Sequence, residues 1–256
     1  MDNTTLGIDD PYDFFPDDIR TELFIRIGSH YFKDKIWKEW SKATKAIVPV
    51  IMKHSDACGQ SFPSQTRIAV YSGITEKSVR QGLKGLEDFR DFGIKKEITK
   101  RGWLKNKYWL KPAKRNEKEA IFISHAFFNG GNWALLSSCA KAIYPVLQYF
   151  CFWDFDLYGE LEKIVESPSD FVDVYRDRKY DFLNAEPEAI AEYSGISERS
   201  ISSAFQSLMK CYFIESLGTI DNRMTWKLFK QPPRIFNDYL NEQVRKRYKP
   251  KETFTY

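Results

Sequence analysis

Apolar residues between positions 75 and 86 recur with helical period. With Val79 placed inward, Leu83 and Leu86 fall on the same side, and Lys77, Arg80, Gln81 and Lys84 face out. A shorter helix precedes them and ends in Tyr71-Ser72-Gly73, where glycine permits the left-handed backbone that turns the chain. Ile74 plugs the corner, and Thr75 is placed to cap the second helix. This is the pattern of a helix-turn-helix. Beyond it the period changes: Ile94, Ile98, Tyr108 and Leu110 supply strand character around a turn at Arg101-Gly102, which predicts a hairpin, or wing.

The pattern occurs twice. Ile68-Ala-Val-Tyr-Ser-Gly-Ile-Thr-Glu-Lys-Ser-Val-Arg returns as Ile190-Ala-Glu-Tyr-Ser-Gly-Ile-Ser-Glu-Arg-Ser-Ile-Ser, and nine of nineteen residues from Ile68 to Leu86 are shared at an offset of 122. Ile196 replaces Ile74 as the plug, and Ser197 replaces Thr75 as the expected cap. Upstream, Ser41 to Met52 matches Ser137 to Gln148 at an offset of 96, with Trp37 falling on Trp133. Ser29-His30-Tyr31-Phe32 resembles Ser124-His125-Ala126-Phe127, so the duplicated unit begins near Phe24 and again near Ile121. The difference between the two offsets places 26 extra residues of the second copy between Phe150 and Ile190.

Each copy therefore reads as an extended leading segment, a long helix, a helix-turn-helix and two strands. The second wing runs from Phe213 to Ile220, through Asp221-Asn222, to Met224–Phe229. The expected fold class is mainly α with small β-hairpins (α+β), in two tandem winged helix-turn-helix domains. Residues 1–22 form an acidic tail, 23–115 the first domain, 116–231 the second with an insertion of about 26 residues within 151–189, and 232–256 a basic tail. Pro49 and Pro145 sit at equivalent places in the long helices, where loss of an internal hydrogen bond predicts either a kink or a break into two helices.

Composition suits two modest cores: 256 residues, 43% apolar and 16% aromatic. No apolar run approaches the roughly 20 residues that span a bilayer, and the acidic start lacks the basic and apolar regions of a signal peptide, so a cytoplasmic location is expected. Cys58, Cys139, Cys151 and Cys211 are widely spaced and do not cluster with His30, His54 or His125 in metal-ligand spacing. They are read as reduced and structural. His30 and His125 recur in both copies, which favours a shared structural role.

Charge separates the copies. Residues 53–115 carry fifteen Lys or Arg against six Asp or Glu, whereas residues 151–188 carry four against eleven. The expected DNA-binding set is Thr75, Lys77, Ser78, Arg80, Gln81 and Lys84 on the second helix of the first copy, with Lys95, Lys96, Lys100, Arg101, Lys105 and Lys107 on its wing. Lysine and arginine neutralise phosphates, and glutamine or arginine bonds base edges in the major groove. The aligned set in the second copy, Arg199, Ser202, Ser203 and Gln206, is polar but weaker in charge. Trp103 near the wing tip suits either a minor groove or packing on its own hairpin. The tail Val244-Arg-Lys-Arg-Tyr-Lys-Pro-Lys suits either phosphate contacts or solvent.

The segments Trp133-Ala-Leu-Leu-Ser-Ser-Cys-Ala-Lys-Ala-Ile-Tyr-Pro-Val-Leu and Phe62-Pro-Ser-Gln-Thr-Arg-Ile-Ala resemble those of winged-helix replication initiators from plasmids and phages. The likeness covers about residues 24–230. It implies binding to repeated origin sequences in double-stranded DNA and recruitment of host replication proteins, often with one domain favouring a homodimer and the other gripping DNA. Here the charge favours the first copy for the grip.

No glycine-rich phosphate loop, metal-ligand cluster or nucleophile beside a base is present, so no enzyme activity, no cofactor and no metal is expected. Asp170, Asp173 and Asp177 suit a solvated helix face better than a metal site. Two readings stand beside the initiator: a winged-helix transcription regulator, and a protein-interaction module that binds no DNA.

Overall fold

The computed structural model describes residues 24–56, 58–98, 104–111, 113, 120–151, 180–183, 185–220 and 223–229. Strand β1 (Phe24–Ile27) leads into two four-residue helices, α1 (His30–Lys33) and α2 (Ile36–Glu39), and then the long α3 (Lys42–Lys53). Next come β2 (Gln60–Ser61), α4 (Gln65–Ser72), α5 (Glu76–Lys84) and the hairpin β3 (Phe92–Ile98) and β4 (Leu104–Leu110). The order then recurs: β5 (Ile121–Ser124), α6 (His125–Asn129), α7 (Asn132–Leu135), α8 (Ser138–Cys151), β6 (Tyr180–Leu183), α9 (Pro187–Ser194), a 3-10 turn over Glu198–Ser200, α10 (Ile201–Lys210), β7 (Ile214–Ile220) and β8 (Arg223–Phe229).

Each hairpin carries a third antiparallel strand, giving the orders β2-β4-β3 and β6-β8-β7. Of the two, β2 escapes the sequence pattern because it is two residues long, too short to show a period of two. Ser41 starts α3 by accepting the Thr44 amide at 3.1 Å. Both long helices run unbroken through their proline. Thr44 to Ile51 of α3 are buried throughout, as are Ala140 to Tyr149 of α8, so packing on all sides holds each helix past the missing amide bond.

The two halves meet across reciprocal contacts. β1 pairs with β5 antiparallel, Phe24 opposite Ser124 and Ile27 opposite Ile121. Helices α3 and α8 pack on one another, and the Trp37 and Trp133 indoles each reach a carbonyl of the other half. Phe32 stacks on Tyr149 with ring centroids 5.0 Å apart. Contacts that are the same when the partners are exchanged define an approximate two-fold axis, as in an isologous dimer, but within one chain. A single continuous core of buried side chains results.

Each long helix buries a lysine, and that of the first half stitches the halves. Lys45 donates to the carbonyl of Lys38 at 2.9 Å and to that of Ser194, across the interface, at 2.8 Å. Its counterpart Lys141 donates to the carbonyls of Ala134 and Leu136. Burial pushes the Lys45 ammonium down to about 8, with Glu39 opposing the shift.

Candidate nucleic-acid interface

Helix α5 is positioned from three sides. The Thr75 hydroxyl accepts the Ser78 amide at 3.2 Å, closing the first turn, and lies 3.0 Å from the Ser78 hydroxyl. Val79 and Leu83 are buried, and Leu86 just beyond the helix is buried with them. Gly82 faces α3 so closely that an added Cβ would lie 2.8 Å from Ile47 Cδ1 and 3.0 Å from the Ala43 backbone. The glycine costs helix propensity but lets α5 press against α3.

Pressing one face inward fixes the other outward. Lys77, Arg80, Gln81 and Lys84 are exposed, as the helical spacing predicts, and Ser78 is half-buried beneath them. Arg80 Nη1 lies 4.0 Å from Glu76 Oε2, one turn back, while Glu76 also accepts the Thr66 hydroxyl at 2.7 Å. An exposed pair at this spacing contributes only a few tenths of a kcal/mol, roughly, so Arg80 is readily released to a phosphate or base edge.

The second copy departs from the first at its cap. Ser197 bonds no backbone amide with its side chain; its hydroxyl lies 3.0 Å from that of Ser200 instead. The expected cap at Ser197 is therefore corrected: the segment opens as the 3-10 turn, and α10 starts only at Ile201. Arg199 thus sits in that turn, while Ser202, Ser203 and Gln206 lie exposed on α10. Ile201, Ala204, Phe205 and Leu208 face inward.

The wing lysines divide between two faces of their sheet. Tyr108 and Leu110 are buried, so the alternating residues Lys105, Lys107 and Trp109 point away from the helices. Register puts Lys95 opposite Lys107 and Glu97 opposite Lys105 on that same outer face, whereas Lys96, opposite Asn106, shares the side of Ile94 and Tyr108. Lys107 Nζ is 3.3 Å from Glu97 Oε1. Only Lys96 among these therefore shares the side of the sheet on which α5 lies. Lys100, Arg101 and Trp103 fall outside the described residues, as do the turn at Asp221-Asn222, both tails, and Asp170, Asp173 and Asp177 of the insertion.

Two exposed aromatic residues stand beside these lysines, neither of them in the expected DNA-binding set. Trp109 is 38% and Phe62 42% exposed, and Lys105 Nζ sits 3.9 Å from the Phe62 ring centre. Trp109 was findable, because it alternates with the buried Tyr108. Phe62 was not, because its position depends on the short β2.

The histidines have structural settings. His30 Nε2 lies 3.5 Å from Asp91 Oδ2. Burial holds His54 and His125 down at about 4, with Lys53 nearby adding to both shifts. All four cysteines are free thiols, and burial raises that of Cys211 to about 11. Among the described residues no three His, Cys, Asp or Glu side chains are placed to hold a metal, and no helix is long and apolar enough to cross a membrane.

A family model for a helix-turn-helix domain matches residues 39–90, the span from the end of α2 to just beyond α5. No curated protein and no solved structure matches the chain. Residues 39–90 are a helix-turn-helix domain, with α4 and α5 as its two helices.

Proposed function

We propose that the chain binds double-stranded DNA sequence-specifically through two tandem winged helices and acts as a replication initiator of a plasmid or phage. The observation that carries the DNA-binding part is α5, a capped helix within the matched domain whose free face is Lys77, Arg80, Gln81 and Lys84. Such a face supplies phosphate neutralisation and base-edge hydrogen bonds together. The recurrence of the element order supports a second winged helix from α9 to β8. Its outward Ser202, Ser203 and Gln206 favour a lesser share of the grip, leaving that half for a second copy of the chain or for host replication proteins. The approximate two-fold relation between the halves would make one chain read two unlike half-sites in inverted order.

The initiator role rests on the resemblance around Trp133 and Phe62. A transcription regulator would use the same α5, and the arrangement of its sites separates the two. Selection of bound fragments from a random duplex library by the purified protein is expected to enrich one site, with affinity falling steeply as salt rises. Copies of that site arrayed beside the protein's own gene would support an initiator; a lone copy at a promoter would support a regulator. The Arg80→Ala, Lys84→Ala variant should bind the selected site at least about tenfold more weakly, with the salt slope reduced by about 1 to 2. Unchanged affinity at matched salt would remove α5 from the interface, and no salt-sensitive binding at all would leave a protein-interaction module.

A further inference from the structure

The outer face of the first sheet points away from α5 and carries chemistry that duplex recognition by that helix leaves unused. Gly93 lies directly opposite Trp109 on β3, and Gln60 lies opposite it on β2, so the indole rises from the middle of the sheet with a bare position beside it. A Cβ at Gly93 would meet nothing within 4 Å. The open space is a shallow cleft of about 280 Å³, walled by Trp109, Lys95, Lys107 and Glu97 and floored by Gly93.

We propose that this cleft binds single-stranded nucleic acid, with an unpaired base against the Trp109 indole and the flanking phosphates on Lys95, Lys105 and Lys107. An exposed aromatic face ringed by lysines is what a single strand requires, since every base has a π-face to stack and every linkage a charge to neutralise. Lys95 and Lys107 line the cleft against the single acid Glu97, and Lys105 stands beside it over the Phe62 ring, which gives the site the matching sign. Phe62, its ring centre 3.9 Å from the Lys105 ammonium, holds that lysine in place beside the cleft. A duplex is not the occupant, because its bases are stacked inside and cannot enter. The equivalent place in the second sheet is closed: Lys227 stands where Trp109 does, Glu215 where Gly93 does, and their charges lie 3.7 Å apart. The cleft therefore belongs to the first half alone.

Anisotropy of a short labelled oligodeoxynucleotide of mixed sequence, without self-complementarity, tests this on the full chain. Trp109→Ala should weaken its binding roughly tenfold, and Trp109→Phe should keep most of it. Gly93→Leu, which leaves the indole in place and fills open space, should weaken it as well. Duplex affinity should stay within about twofold for all three, and Arg80→Ala, Lys84→Ala should spare the single strand. The RNA of the same sequence, measured alongside, identifies which sugar the cleft prefers. The proposal is overturned if Gly93→Leu and Trp109→Ala, both with parental circular dichroism, hold the single strand as tightly as the parent. Equal loss of single-strand and duplex binding would overturn it too.

Discussion

Trp37 and Trp133 make the same hydrogen bond in opposite directions across the molecule: the Trp37 indole donates to the Ala142 carbonyl at 2.8 Å, and the Trp133 indole to the Ala46 carbonyl at 3.1 Å. Both side chains are fully buried. Each half thus uses its own tryptophan to read the long helix of the other.

One cooperative unfolding transition is the expected consequence, because the core is continuous across the two halves. Trp37→Phe and Trp133→Phe should each lower that transition by about 1–3 kcal/mol, the cost of a lost buried bond and some packing. Urea melts followed by far-ultraviolet circular dichroism and by fluorescence would show it. Two separable transitions, or a variant that shifts only one of them, would sink the idea of a shared core.

The turn glycines carry the interface as well as the turn. Gly73 and Gly195 have φ of 67° and 65°, and a Cβ at either would run into a backbone carbonyl of the opposite half, that of Ala134 or of Lys38. Gly→Ala at each should therefore cost more than the roughly 1 kcal/mol of left-handed strain alone, on the order of 2–4 kcal/mol. A loss near 1 kcal/mol at both sites in denaturant titrations would mean that the halves slide apart readily.

The two caps should differ. Thr75→Ala removes a hydroxyl that accepts a helix amide, and about 1 kcal/mol of stability should go with it. Ser197→Ala removes only a contact with the Ser200 hydroxyl and should be nearly silent. Thermal melts of the two variants side by side give the comparison, and equal losses would contradict it.

Acid should weaken the fold through His54 and His125. Their folded pKa values of about 4 lie below the usual 6.5, so the unfolded chain takes up protons first. Their contribution is complete above about pH 6.5, declines as pH falls toward 4, and changes no further below that. Together they should account for a few kcal/mol at most, roughly. His54→Gln with His125→Gln should flatten the fall in stability between neutral pH and pH 5, and an unaltered slope would assign it to other groups.

The sequence by itself determined what is local and periodic. The helix pair at Gly73, the inward Val79 and Leu83, the outward Lys77, Arg80, Gln81 and Lys84, and the strands around Tyr108 all follow from spacings within a few residues. The Thr75 cap is equally local. Even so, Ser197 misled, because a serine at the same place chose its neighbour's hydroxyl over a backbone amide, a choice between near-equal hydrogen bonds that the residue type leaves open.

Tertiary structure alone decided how the copies meet and where the wing lysines point. No periodicity within one segment states what Trp37 or Ile27 packs against, and none hints that Lys45 is buried at all. Pairing Ile27 with Ile121 or Trp37 with Ala142 joins positions about a hundred residues apart, and the matching of their shapes exists only once both halves are folded. Likewise Gln60, Gly93 and Trp109 become neighbours only through strand register, which sets one cleft beside the tryptophan and turns three lysines away from α5.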